Sequence, residues 1–208
     1  MKPSFRTSLT FFLLFIFSGC ATITDIIQVK PKNDVYLTQG GLAKLIVENL
    51  DTNRIKKSSL YKAVTLPPKV SSLKNWLETS KEAALIRESN QGEAIISFLS
   101  LNLPSFPFYA DEVWNPNREV SRGKFALFLL DVLIMLKNDK GLLNEFNGQK
   151  SPYKDINGNS TYFPAVMVSS SRGLMQAFKT ADSTFEPERL IQYKTAEQAI
   201  QKLKQFFP

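Results

Sequence analysis

Few residues in this chain are equipped for covalent or metal chemistry. The 208 residues contain no histidine and one cysteine, Cys20. Without an imidazole, neither a Ser-His-Asp nor a Cys-His nucleophilic relay can be assembled. The usual ligand sets for zinc and other transition metals fall with it. Glycoside hydrolysis needs only two carboxylates across a cleft, so the candidates for catalysis are acids such as Asp155, Asp182, Glu186 and Glu188. They stand in turn-like contexts, where short polar side chains most often bond their own backbone. No phosphate loop or dinucleotide fingerprint is present. What remains is non-covalent. In Ser121-Arg122 a hydroxyl suited to capping a helix precedes a guanidinium, a planar fork matched to a carboxylate. The residue types point to binding, with no enzyme activity, cofactor or metal.

The elements that must position these residues are helices. Apolar residues recur at helical spacing in 37–50, 71–89, 92–103, 163–178 and 195–207, with a marginal piece at 140–146. The stretch 121–137 is apolar nearly all round and reads as the most buried helix. Strand signals are scarce; "TITDIIQV" (22–29) is β-rich in composition and reads as a tether. The expectation is an all-α domain with long loops.

Three of these helices begin with a hydroxyl residue able to satisfy the unpaired first N–H groups: Thr38, Ser121 and Thr195. Thr195 and Gln198 fit a capping box. Ser121 follows Thr38 by 83 positions, and Thr195 follows Ser121 by 74. An aromatic-x-Pro triplet precedes two of them, Trp114-Asn115-Pro116 and Phe185-Glu186-Pro187. Recurrence of a whole turn-then-helix unit is the mark of a repeat architecture.

In these features the chain resembles the S-layer homology (SLH) domains. Their repeats run as Phe-x-Asp-Val, a short helix, a turn with Asp, Phe-x-Pro, then a Thr-Arg-Ala-Glu-type start of a longer apolar helix. Tyr153-Lys154-Asp155-Ile156 matches the opening, Arg172-Gly173-Leu174-Met175 the end of the short helix, and Asp182 to Pro187 the turn. In the copy before, Asp111, Trp114 and Pro116 match the turn and Ser121-Arg122 matches Thr-Arg. Asp25-Ile26 and Thr38-Gln39 look like a worn first copy. The resemblance is good over 110–206 and weak over 21–109.

It implies three SLH-like helical repeats, about 37–70, 71–137 and 138–208, packed as a pseudo-threefold bundle. It also implies grooves that bind acidic cell-wall polysaccharide, with the arginine of the pair on the carboxylate. Arg122 is then a glycan-binding fork, with Ser121 and Trp114 beside it. Read from the residues alone, Arg122 is an exposed first-turn residue lying over Phe125, and Trp114 a packing anchor. Only the middle copy keeps the arginine. Gln39 takes its place in the first copy and, with Thr195 as cap, Ala196 in the third. The motif's glutamate is Gly41, Lys124 and Gln198 in turn. With that cap, ten residues separate Phe185 from it, against seven between Trp114 and Ser121.

The N-terminus carries a separate signal. Lys2 and Arg6 precede the apolar run Phe11 to Phe17, then Ser18, Gly19 and Cys20. Charged, apolar and small-residue regions in that order form a secretory signal, and the apolar run falls short of the roughly 20 residues a spanning helix needs. The junction resembles a bacterial lipoprotein cleavage site. That resemblance implies a signal peptide over 1–19, acylation of Cys20 by palmitate-type chains, and a tether over 20–36. Ala21 after the cysteine implies sorting to the outer membrane. Loss of residues 1–19 removes two cations and no acid, lowering the net charge from +7 to +5. A mild basic surplus suits an acidic polymer or an anionic surface. No cluster of Lys and Arg is interleaved with aromatics, so nucleic acid is not an expected partner. The expectation is a non-enzymatic, lipid-anchored cell-envelope protein facing the periplasm and gripping cell-wall glycan. The alternatives are a scaffold for an envelope protein partner and, third, a carboxylate-pair hydrolase.

Overall fold

A computed structural model describes residues 36–57, 117–178 and 181–206. The expected helices at 71–89 and 92–103, the tether, Asp25, Asp111, Pro116, Trp114 and Cys20 lie outside the described residues. Among the described residues the regular structure is helical, and extended pairing is limited to isolated bridges. All-α is the class.

Helix α1 spans Gln39–Asn49 and α2 Thr52–Lys57. Helix α3, Arg122–Lys137, is buried on most sides, as its unbroken apolar sequence requires. Phe125 and Phe128 stack inside it with ring centres 6.1 Å apart. A 3-10 turn at Lys140–Leu143 replaces the marginal helix. Helix α4 covers Phe163–Ser171 and α5 Tyr193–Gln205. α3 packs against α4 and α2, and α1 packs against α5. One apolar core runs through all of them, from Leu42 and Ile46 to Ile200 and Leu203.

Helix α4 stops seven residues short of the expected Phe178. Gly173, at φ +65°, follows the C-cap Arg172. Its N–H bonds Ser170 O, and the next, Leu174 N–H, bonds Ser169 O. This is a Schellman stop, for which a glycine at positive φ is the usual residue. The periodicity of 163–178 carries through it because Leu174 and Met175 remain buried without being helical.

The lead-ins to α1, α3 and α5 meet one another. Leu37 donates its N–H to Ile191 O at 2.8 Å, Ile191 to Val120 O at 3.0 Å, and Val120 to Leu37 O at 2.9 Å. The three bonds close into a ring. Antiparallel bridges Tyr36–Gln192, Thr38–Glu119 and Ser121–Leu190 flank it. All three ring residues are buried, so none of these backbone groups is left without a partner in an apolar surrounding. Each stands directly before the N-cap of its helix.

Two of those caps are the expected ones. Thr38 Oγ1 accepts from Gly41 N at 3.1 Å and Ser121 Oγ from Lys124 N at 3.4 Å. The third is not Thr195. α5 begins at Tyr193 with Gln192 as cap, and no side chain caps it. The Thr195–Gln198 capping box is therefore not formed. The ring bond of Ile191 and the bridge to Tyr36 hold the chain extended only as far as Gln192, at φ −70° and ψ 141°. Helix follows at once, and tertiary pairing overrides the local cap preference. The correction also changes the interval from the aromatic-x-Pro triplet to the cap. Phe185 now precedes its cap by seven residues, as Trp114 precedes Ser121.

Candidate functional site

The seam between the start of α3 and the turn before α5 gathers most of the residues singled out in the sequence. Asp155 builds the turn. Its Oδ1 accepts from Phe185 N at 2.8 Å and its Oδ2 from Glu186 N at 2.6 Å. Ser183 and Glu186 are held at positive φ, 49° and 56°. Non-glycine residues hold that region only where their surroundings fix it, and the carboxylate of Asp155 is one such restraint. The Tyr153 hydroxyl donates to Ser170 Oγ at 2.9 Å, and its ring packs on Phe185 with centres 5.4 Å apart. Ile156 is buried beneath. The Tyr-x-Asp-Ile motif is thus a working structural unit: one aromatic anchors on α4, the acid ties the turn, and the apolar residue enters the core.

Arg122 is 6 % exposed, not an exposed residue lying over Phe125. Its Nε donates to Phe185 O at 2.7 Å and its Nη2 to Gln176 O at 2.6 Å. The guanidinium carbon lies 4.7 Å from the Phe185 ring centre and 5.5 Å from that of Phe178. The fork's Nε/Nη2 edge is therefore spent on backbone carbonyls, and Nη1 is the edge left for anything else. Burial pushes the guanidinium below the ordinary arginine value; nearby Arg189 adds to this, while Tyr153, Glu186 and Asp155 oppose it. No carboxylate among the described residues lies within ion-pair distance of it.

The other two helices carry different residues directly after their caps. Gln39 is buried and Tyr193 half-buried. With Gln192 as cap, Tyr193 takes the place expected for Ala196, and Thr195 the place expected for Gln198. Ser121 is 6 % exposed and occupied as a cap.

The acids of 155–188 are mostly committed. Asp155 holds two backbone N–H groups. Glu186 pairs with Arg189 at 3.1 Å. Burial, and next to it the negative charge of nearby Glu188, raise the Tyr162 phenol to about 12. Asp182 is exposed. An open depression of about 440 Å³ lies elsewhere, on the outer face of α5 between Glu197, Gln198, Gln201 and Lys202. Among the described residues no group of three His, Cys, Asp or Glu is placed to hold a metal, and no helix is long and apolar enough to cross a membrane.

Two residues of the seam were not singled out in the sequence. Arg189 lies flat on Phe178, guanidinium carbon to ring centre 3.9 Å. Phe178 is 38 % exposed, a large aromatic left at the surface. A signal for Arg189 exists once the cap is placed correctly: it stands three residues before Gln192, as Arg118 stands three before Ser121. No family model, curated protein or solved structure matches the chain.

Proposed function

We propose that the chain is a lipid-anchored envelope protein whose three degenerate SLH-like repeats form a pseudo-threefold bundle that grips cell-wall glycan. The observation that carries the reading is the closed ring of Leu37, Val120 and Ile191. Three equivalent segments, each one residue before a cap, donate to one neighbour and accept from the other. A ring of that kind is what three copies of one module produce about a shared axis. The equal seven-residue interval from aromatic to cap in the second and third copies supports it. Cys20, placed after Ser18-Gly19, would carry the lipid, most consistent with an outer-membrane lipoprotein facing the periplasm.

The glycan reading is tested by sedimenting the protein with purified wall sacculi. Retention that a neutral competitor protein does not reduce is the expected outcome; absence of retention removes the reading. Cys20→Ser tests the anchor: the variant should leave the membrane fraction and lose label from radioactive palmitate.

A protein-interaction scaffold is the second reading, favoured by the burial of Gln39 and Arg122. Two of the three positions where the motif would present a ligand contact are largely used inside the fold. Co-purification of an envelope protein together with indifference to sacculi would select it.

A further inference from the structure

We propose that Asn157-Gly158 is a self-modification site, at which the folded chain converts its own side-chain amide to an acid through a cyclic imide. The inference is carried by the geometry of one turn and stands independently of the envelope reading. Asn-Gly occurs twice in the chain, at 147–148 and 157–158, and all four residues are exposed. The two asparagines are held in opposite ways. Asn157 Oδ1 accepts from Asn159 N at 2.9 Å, and its main-chain oxygen accepts from Ser160 N at 2.9 Å. A backbone N–H can only donate, so the side-chain atom facing it is the amide oxygen. Asn147 is a donor instead. Its Nδ2 bonds Asn144 Oδ1 at 3.1 Å, and its Oδ1 has no donor among the described residues. The attacking group at the second pair is open. Gly158 N–H has no acceptor among the described residues. A methyl carbon on Gly158 would meet nothing within 4 Å, and its φ lies outside the left-handed region. Neither packing nor turn conformation demands glycine there. What glycine supplies is an amide nitrogen that no side chain shields.

The step is an intramolecular acyl transfer. Hydroxide from solvent takes the Gly158 N–H proton, and the nitrogen's electron pair forms a bond to Asn157 Cγ. The carbonyl electrons move onto Oδ1, where the Asn159 N–H already points and stabilises the developing charge. The electrons return, the Cγ–Nδ2 bond breaks, and Nδ2 takes a proton from water and leaves as ammonia. That last transfer regenerates the hydroxide. Water then opens the cyclic imide at either of its carbonyls, giving an aspartyl residue or an isoaspartyl link. Water is the one co-reactant and ammonia the one by-product. At Asn147 the same attack would push charge onto an oxygen without that donor. The isoaspartyl product adds a carbon to the main chain two positions from Asp155, whose carboxylate ties Phe185 N and Glu186 N. The modification therefore falls on the segment that restrains the turn before α5.

The test is a time course on the full chain in detergent micelles, held at mildly alkaline pH in heavy-oxygen water and read by peptide mass spectrometry. Tryptic cleavage after Lys150 and Lys154 places the two Asn-Gly pairs in separate peptides, so each serves as the other's control. The expected result is labelled aspartyl and isoaspartyl product at 157 accumulating about fivefold faster than at 147, the advantage of one added hydrogen bond to a developing anion. In urea, where the turn is lost, the two rates should converge. Gly158→Ala should slow the reaction at 157 several-fold and leave that at 147 unchanged. Equal rates in the folded chain, or a faster rate at 147, overturn the proposal. So do a preference for 157 that survives in urea, an unchanged rate in Gly158→Ala, and absence of label at 157 in the folded chain.

Discussion

Replacing Arg122 by methionine asks whether this arginine is a strut of the fold. The side chain ties the first turn of α3 to Phe185 O and Gln176 O, and its stem fills buried space that methionine can occupy. Hydrogen bonds from a charged donor contribute about 1.5–3 kcal/mol each, and contact with the Phe185 ring adds about 0.5–2 kcal/mol. Against this, methionine removes a buried charge that lacks a carboxylate at ion-pair distance, and that relief recovers part of the loss, a few kcal/mol. The balance is a destabilisation of about 2–3 kcal/mol. For a domain of this size it lowers Tm by about 4–12 °C. Urea titration followed by circular dichroism measures it, with the slope checked for constancy. Arg122→Lys keeps the charge but reaches one carbonyl at a time, so it should lose about 1–2 kcal/mol. A methionine variant within 0.5 kcal/mol of the parent would refute the strut, and with it the view that Arg122 spends its donors inside the protein.

Other substitutions read other parts of the same argument. Gln192→Ser should stabilise by about 0.5–1 kcal/mol by supplying the missing cap, whereas Thr195→Ala should change chemical stability by less than about 0.5 kcal/mol; the opposite pattern in urea melts would restore Thr195 as the cap. Gly123→Ala places a methyl carbon 2.8–2.9 Å from the Tyr162 ring, so a loss of about 1–3 kcal/mol is expected, recovered by adding Tyr162→Leu. Tyr162 titrates near 12 when folded, above the tyrosine value of 10. Its contribution is complete below pH 10 and is lost as the pH rises from 10 to 12. Absorbance at 295 nm should show a late tyrosine ionisation, and Tyr162→Phe should remove that step together with its share of the alkaline loss.

Helix existence was legible because periodicity and burial agree. The all-round apolar run of 121–137 could only be an interior helix, and Thr38 and Ser121 carry side chains that cap without help from elsewhere. The third helix start was misread for the same reason that the other two were readable. Thr195 with Gln198 is a good local cap, but the decisive contacts are the ring bond of Ile191 with Val120 and the bridge of Gln192 to Tyr36. Those partners lie more than 70 and 150 positions away in sequence, and no local preference encodes them. Arg122 shows the same limit. Its motif position was readable, but its burial depends on Gln176 and Phe185, which a turn folded by Asp155 delivers. Arg189 was missed because its importance comes from stacking on Phe178, eleven residues earlier and across that turn.

The ring makes a demand that the helices alone do not. Three unrelated helices can share a core by apolar burial, which is non-directional and tolerates many crossing arrangements. A cycle of backbone bonds is stricter. Leu37, Val120 and Ile191 must each present an N–H to one side and a carbonyl to the other at the same height, or one group stays buried and unpaired. The side chains after the caps are glutamine, arginine and tyrosine, with little in common, while the backbone at all three lead-ins meets one geometry. It follows that changing the side chain at Gln39 or Tyr193, with the lead-in backbone unaltered, should lower stability and leave the ring bonds in place, which urea melts and amide exchange at Leu37, Val120 and Ile191 can read.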